Sequence, residues 1–122
     1  MSTTKNMINE RIAVVLLNGE VVPGPRDPHY TKQFYHSMRG FAQASLRLCD
    51  EGKFQKLAQF FNVALKLFKD GNETVKNGVV NVYLYTLSEA FDRQREARRF
   101  IEPFMPRELR QEYARLHYIS GV

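Results

Sequence analysis

Apolar side chains recur with the spacing of an α-helix through most of residues 29–91, and this pattern strongly limits what the chain can fold into. The segment that limits the fold most is 73–91, where valines, leucines and aromatic residues occupy most of the circumference of the predicted helix. These residues are Val75, Val79, Val80, Val82, Tyr83, Leu84, Leu87 and Phe91. A helix that is apolar on nearly all sides is buried by other elements. We therefore predict that this helix forms the centre of the fold.

The polar residues of the same segment decide between a helix and a strand. Its valines are β-branched, and such residues are common in strands. Its polar residues, however, recur with helical spacing. They are Asn77, Asn81, Tyr85 and Ser88. We predict a helix with these four residues on its exposed side, with Asn72 as N-cap and Glu73 in the first turn, where the helix dipole favours negative charge.

Two longer helices are predicted before this one, over residues 29–49 and 53–69. The helix over 53–69 has apolar residues on two sides, so we expect other elements to cover both sides. Together with the helix over 73–91 it forms the predicted central antiparallel pair, joined by Asp70-Gly71-Asn72.

The positions of three glycines lead to further structural predictions. Gly71 follows the end of a helix, where we expect it to adopt the left-handed conformation that terminates helices. Gly40 and Gly78 lie in the middle of predicted helices, where glycine costs up to ~1 kcal/mol relative to alanine. We expect a neighbouring helix to approach each of these two glycines closely.

The segment 6–18 is compatible with two structures. It could be a helix with Asn6 as N-cap, or part of a hairpin that turns at Asn18-Gly19. We favour the helix, because an isolated hairpin is only marginally stable in water. The helix would direct one set of apolar side chains inward. That set is Ile8, Ile12, Val15 and Leu16.

The remaining segments complete an all-α fold. The proline-rich residues 22–28 form a linker, because proline can continue neither a helix nor a central strand. Two short helices are predicted over residues 94–102 and from Pro106 onward. We therefore predict one domain over residues 1–122, a compact bundle of five or six helices.

Charge and cysteine content bear on where the protein works. The net charge is +5, and the excess of basic residues lies mainly in the first half of the chain. Cys49 is the only cysteine, so no internal disulfide can form. No segment approaches the ~20 apolar residues that a transmembrane helix needs, and none resembles a secretory signal. We expect a cytoplasmic protein with no membrane association.

The sequence has no pattern typical of a catalytic, cofactor-binding or metal site. The candidate metal ligands are His29, His36, His117 and Cys49. No two of them lie three or four residues apart, as ligands on one helical face would. No Gly-x-Ser-x-Gly, P-loop or Gly-x-Gly-x-x-Gly motif is present. The acidic residues Glu108 and Glu112 have arginines nearby, and we expect exposed charge pairs there. We predict no enzymatic activity, no cofactor and no metal.

The polar side of the helix over 29–49 is a candidate interaction surface, together with an arginine cluster in the helix over 94–102. The candidate residues are Lys32, His36, Arg39, Gln43, Arg47, Arg95, Arg98 and Arg99. Such a pattern is typical of the solvated face of an amphipathic helix, and also of a surface that contacts phosphates. We favour the first interpretation, because no base-stacking aromatic residues lie between the cations.

The segment 70–77, Asp-Gly-Asn-Glu-Thr-Val-Lys-Asn, followed by Leu84 and Leu87, resembles a family of small uncharacterised bacterial all-helical proteins. In that family an apolar helix precedes a Gly-Asp-Glu-x-Val-x-Asn helix start and a second, mostly apolar helix. The resemblance covers about residues 30–118. It implies a compact α-helical domain of unknown function and, by general likeness to contact-dependent toxin-neutralising proteins, a role in binding another protein.

These expectations favour a non-catalytic protein-interaction module in a bacterial cytoplasm, immunity-like in neutralising a toxin. The expected partner is another protein, and a homodimer is compatible with the sequence. The alternative is a nucleic-acid-associated protein that uses the basic sides of the helices over 29–49 and 94–102.

Overall fold

The computed structural model describes residues 7–18, 30–93 and 102–120, and these residues form an all-α bundle without a β-strand. They contain five helices and a short 3₁₀ turn. The elements are α1 (Glu10–Asn18), α2 (Tyr30–Asp50), α3 (Phe54–Asp70), α4 (residues 73–93), the 3₁₀ turn (Glu102–Phe104) and α5 (Arg107–Ser120). The predicted fold class is therefore confirmed. The linker at 22–28 and the helix over 94–102, apart from Glu102 in the 3₁₀ turn, lie outside the described residues.

Helix α4 lies at the centre of the bundle, as predicted. It contacts each of the other four helices, and α2 follows it along its whole length. The large hydrophobic residues of α4 that are buried make no contact with solvent or almost none. They are Val75, Val79, Tyr83, Leu84 and Leu87. At the start of α4, the Asn72 side chain accepts a hydrogen bond of 2.9 Å from the Val75 backbone N–H, which confirms Asn72 as the N-cap.

The middle of α4 departs from the α-helical geometry that its sequence predicts. The helix is an α-helix over Glu73–Gly78, a π-helix over Val79–Leu84 and an α-helix again over Tyr85–Arg93. A π-helix is bonded from residue i to i+5 and has more residues per turn, so it rotates the residues that follow it. Ser88 is therefore 5% exposed, and its predicted place on the exposed side is wrong. Tyr85 stays outside, with 48% of its surface exposed.

Helices α2 and α3 supply the rest of the central core. In α2, Phe34, Met38, Phe41 and Ala42 are buried, and Ser45 is buried among them. The Tyr83 hydroxyl lies 2.8 Å from Ser45 Oγ, which in turn donates a 3.0 Å hydrogen bond to the Phe41 carbonyl oxygen. The chain of bonds satisfies both buried hydroxyl groups. Burial raises the pKa of Tyr83, so its hydroxyl stays protonated.

The inward face of α3 is formed by Leu57, Phe61, Ala64 and Leu67. Helix α3 contacts α2 on one side and the first two segments of α4 on another, as its two apolar sides predict. At the other end of the bundle, α5 buries Leu109 and Tyr113 against the last segments of α4.

The connection between α2 and α3 contains the glycine that adopts a left-handed conformation. Gly52 has φ +72°, and its backbone N–H donates to the Cys49 carbonyl at 3.1 Å. The next N–H, of Lys53, donates to the Leu48 carbonyl at 2.9 Å. This pair of bonds is the Schellman arrangement that ends many helices.

Gly71 does not adopt the left-handed conformation, so that prediction is wrong. Its φ is −76° and its ψ is 157°, an extended backbone conformation that any residue type can adopt. Glycine is required there for space, because a Cβ atom would collide with the Leu67 carbonyl oxygen and the Val75 side chain. Gly71 is buried, and its extended backbone pairs with Ile8 in an isolated parallel bridge.

The two glycines inside helices differ from each other. Gly78 is buried, and a Cβ atom there would lie 2.6 Å from Cζ of Phe34, so the predicted close approach of a neighbouring helix is confirmed. At Gly40 the prediction is wrong, because no helix that the structure describes comes within 4 Å of the position that a Cβ atom would take. Packing among the described residues therefore does not require a glycine there.

Residues 10–18 form a helix, which confirms the helical interpretation of that part of the segment 6–18. Its N-cap is Asn9 and not Asn6, since Asn9 Oδ1 accepts a 2.9 Å hydrogen bond from the Ile12 backbone N–H. The predicted inward face is also wrong in part: Ile8, Ala13 and Val14 are buried, whereas Ile12 is 45% and Leu16 is 37% exposed. The pairing of Ile8 with the α3–α4 connection fixes this orientation.

Candidate interaction surface

One side of α2 carries five polar residues, all of them exposed, which we call the α2 basic row. The row consists of Lys32, His36, Arg39, Gln43 and Arg47. They lie there because the opposite side of the amphipathic helix is buried against α4. The other three residues of the candidate surface, Arg95, Arg98 and Arg99, lie outside the described residues.

The cations of the α2 basic row have no carboxylate partner within the described parts of the chain. Two surface cations of α3 do have such partners: Lys66 with Asp70 at 3.9 Å, and Lys69 with Glu108 at 3.7 Å. No such ion pair is formed by Lys32, Arg39 or Arg47 with any described residue. The row is therefore a strip of positive charge that the described residues do not neutralise, and it would attract an acidic partner.

A groove of about 520 Å³ runs beside this row, between the end of α1, α2 and α3. We call it the α2 groove. Its α2 side is lined by the small residues Ser37, Gly40 and Ala44, at helical positions i, i+3 and i+7. Gly40 has no side chain, and no described residue lies within 4 Å of the position that a Cβ atom would take, so the described residues leave the groove open at that point.

Apolar side chains form the walls of the α2 groove. Phe41 and Phe60 stack with ring centroids 4.5 Å apart and an interplanar angle of 5°. Leu17 closes the α1 end. Two polar residues, Gln33 and His36, stand at the rim, and His36 also belongs to the α2 basic row. A concave, mostly apolar site with a few polar groups at its edge is the usual form of a binding pocket.

Sequence reasoning predicted the basic row and missed the groove. The row follows from the polar side of one helix, whereas the groove depends on where α1 and α3 lie relative to α2. The available signal was the run of small residues at 37, 40 and 44, which lies between the apolar side of the same helix and the basic row. A mid-helix glycine with small neighbours on its own side indicates either a tight helix contact or an open surface.

The other side chains with potential chemistry do not form a site within the described residues. No group of three or more His, Cys, Asp or Glu residues there could hold a metal ion. Cys49 is half-buried, and burial, together with the nearby Asp50 charge, raises the pKa of its thiol. Glu112 pairs with Arg115 at 3.2 Å, which confirms the predicted charge pairing there. Glu108 bonds instead across to Lys69 of α3.

Comparison with known proteins gives a family and no function. No helix in the described residues combines the length and the hydrophobicity that crossing a bilayer requires. No curated protein and no solved structure matches the chain. The model of a family described as a domain of unknown function, DUF7674, matches residues 20–120, which include α2, α3, α4 and α5. The chain is therefore a member of this family of domains of unknown function.

Proposed function

We propose that the protein is a non-catalytic protein-interaction module that binds its partner through the α2 groove and the α2 basic row. One observation carries this proposal: among the described residues an apolar groove shares His36 with the α2 basic row, whose cations have no ion-pair partner in the described residues. Protein interfaces combine a desolvated apolar centre with a polar rim, and aromatic and arginine residues are enriched in them. Phe60, stacked on the buried Phe41, would supply the centre, and Arg39 and Arg47 the rim.

A finer form of the proposal concerns the partner and the compartment. The resemblance to small bacterial helical proteins supports an immunity-like role, in which the protein neutralises a toxin in a bacterial cytoplasm. A neutralising protein need not carry catalytic residues, because covering the toxin's active surface is sufficient. Its positive strip suits a toxin with an acidic surface, since charge complementarity accelerates association and selects the partner. A toxin gene adjacent to the gene of this protein would support this form.

The alternative is a nucleic-acid-associated protein, and it is favoured by the cations of the α2 basic row, which form no ion pair with the described residues. Two features of the same surface argue against it. The row offers three full cations along α2, Lys32, Arg39 and Arg47. Strong electrostatic binding to nucleic acid uses more phosphate contacts, which this alternative would need from the arginines at 95, 98 and 99, outside the described residues. The groove beside the row is apolar and would remain unused by a phosphate backbone.

Photo-crosslinking in cells tests the proposal. A photoreactive residue, p-benzoylphenylalanine, would replace Gln43 in the row, and in a matched control it would replace the exposed Gln59 of α3. We expect a discrete adduct with one protein from position 43 and none from position 59. Equal labelling from both positions, or labelling of nucleic acid in place of protein, would contradict the proposal.

Charge reversal provides the second control. The triple variant Lys32→Glu, Arg39→Glu and Arg47→Glu should lose the adduct at position 43. The variant Lys56→Glu, Lys76→Glu and Arg110→Glu changes the net charge by the same amount at exposed positions outside the α2 basic row. It should retain the adduct. Loss in both variants would show that net charge alone, and not this surface, determines binding.

A further inference from the structure

We draw no further inference here: the strongest candidate, the apolar α2 groove between the end of α1, α2 and α3, belongs to the surface already described, and nothing in the described part of the chain shows what covers it.

Discussion

At the scale of single residues, Glu10 joins three parts of the molecule. One oxygen of its carboxylate accepts a 2.7 Å hydrogen bond from the side-chain amide of Asn72, at the start of α4. The other accepts from the Thr31 hydroxyl of α2 at 3.2 Å. The hydrogen bond from Asn72 is the main cause that lowers the pKa of Glu10, followed by burial, which acts in the opposite direction. The ionised form of Glu10 therefore stabilises the folded chain.

The first prediction concerns the variant Glu10→Gln. Because the folded pKa of Glu10 is lowered, its stabilising effect is complete above the unfolded pKa and is lost as the pH falls through the folded pKa. We expect Glu10→Gln to reduce the free energy of unfolding by about 1 kcal/mol at pH 7, and the difference from the parent should shrink towards pH 3. Urea unfolding at both pH values measures it.

A control for this prediction is Glu89→Gln, which changes an exposed carboxylate on α4. Its effect should be within about 0.5 kcal/mol of zero, as for most surface substitutions. A loss for Glu10→Gln that is the same at pH 7 and pH 3 would show that the carboxylate charge of Glu10 does not contribute to stability.

At the scale of elements, the π-helical part of α4 decides which residues of its last segment face the core. With α-helical spacing throughout, Ser88 would share the exposed side of Asn77 and Asn81. With the π-helix over Val79–Leu84, Ser88 is turned towards the bundle and Tyr85 remains outside. Both residues are polar, so the hydrophobic pattern of the sequence cannot show this rotation.

Substitution by aspartate tests that orientation. We expect Ser88→Asp to lower the free energy of unfolding by about 2–4 kcal/mol, because it buries a charge without a partner. The same replacement at the exposed Asn81 should cost less than about 1 kcal/mol. Chemical denaturation followed by circular dichroism gives both values. Similar costs at the two positions would mean that α4 does not have the π-helical register described.

The helices themselves were predictable because each follows from residues that are close in sequence. The inward and outward sides of α2 and α3 agree with their patterns, since an amphipathic helix determines its own buried side. The orientation of α1 was not predictable, because it depends on Ile8 pairing with Asp70 and Asn72, far away in the chain. The conformation of Gly71 depends on the same pairing. Predicting the α2 groove requires the relative positions of three helices, whereas predicting the basic row requires only the pattern of one helix.

At the scale of the whole molecule, the distribution of charge distinguishes the two candidate functions. The positive strip on α2 is narrow, and its three cations could neutralise about three phosphates of duplex DNA. Such contacts would give a log–log dependence of affinity on salt with a slope of about −2.7, at −0.9 per phosphate. That slope is shallow, and the interaction weak, by the standards of nucleic-acid-binding proteins, which make more phosphate contacts.

The last prediction is therefore that the protein does not bind nucleic acid tightly. We expect no binding to duplex or single-stranded DNA or RNA tighter than about micromolar at physiological salt, as measured by fluorescence anisotropy. Association at low salt without sequence preference is expected of any protein with net charge +5. Submicromolar binding at physiological salt that the triple reversal of Lys32, Arg39 and Arg47 abolishes would reverse the order of the two functions.

The bridge between Ile8 and Gly71 also has a consequence for the order of assembly. Glu10 and Asn72 are 62 residues apart in the chain, so their contact closes a long loop and costs chain entropy that a local helix does not. The α3–α4 connection must exist before Ile8 can pair with it, so we expect this bridge to form later during folding than the packing of α1 against its sequence neighbour α2. Leu17 of α1 is one wall of the α2 groove. A detached α1 would widen that groove while α2, α3 and α4 remain folded, so the lifetime of the docked N-terminal helix sets how long the surface keeps the shape described.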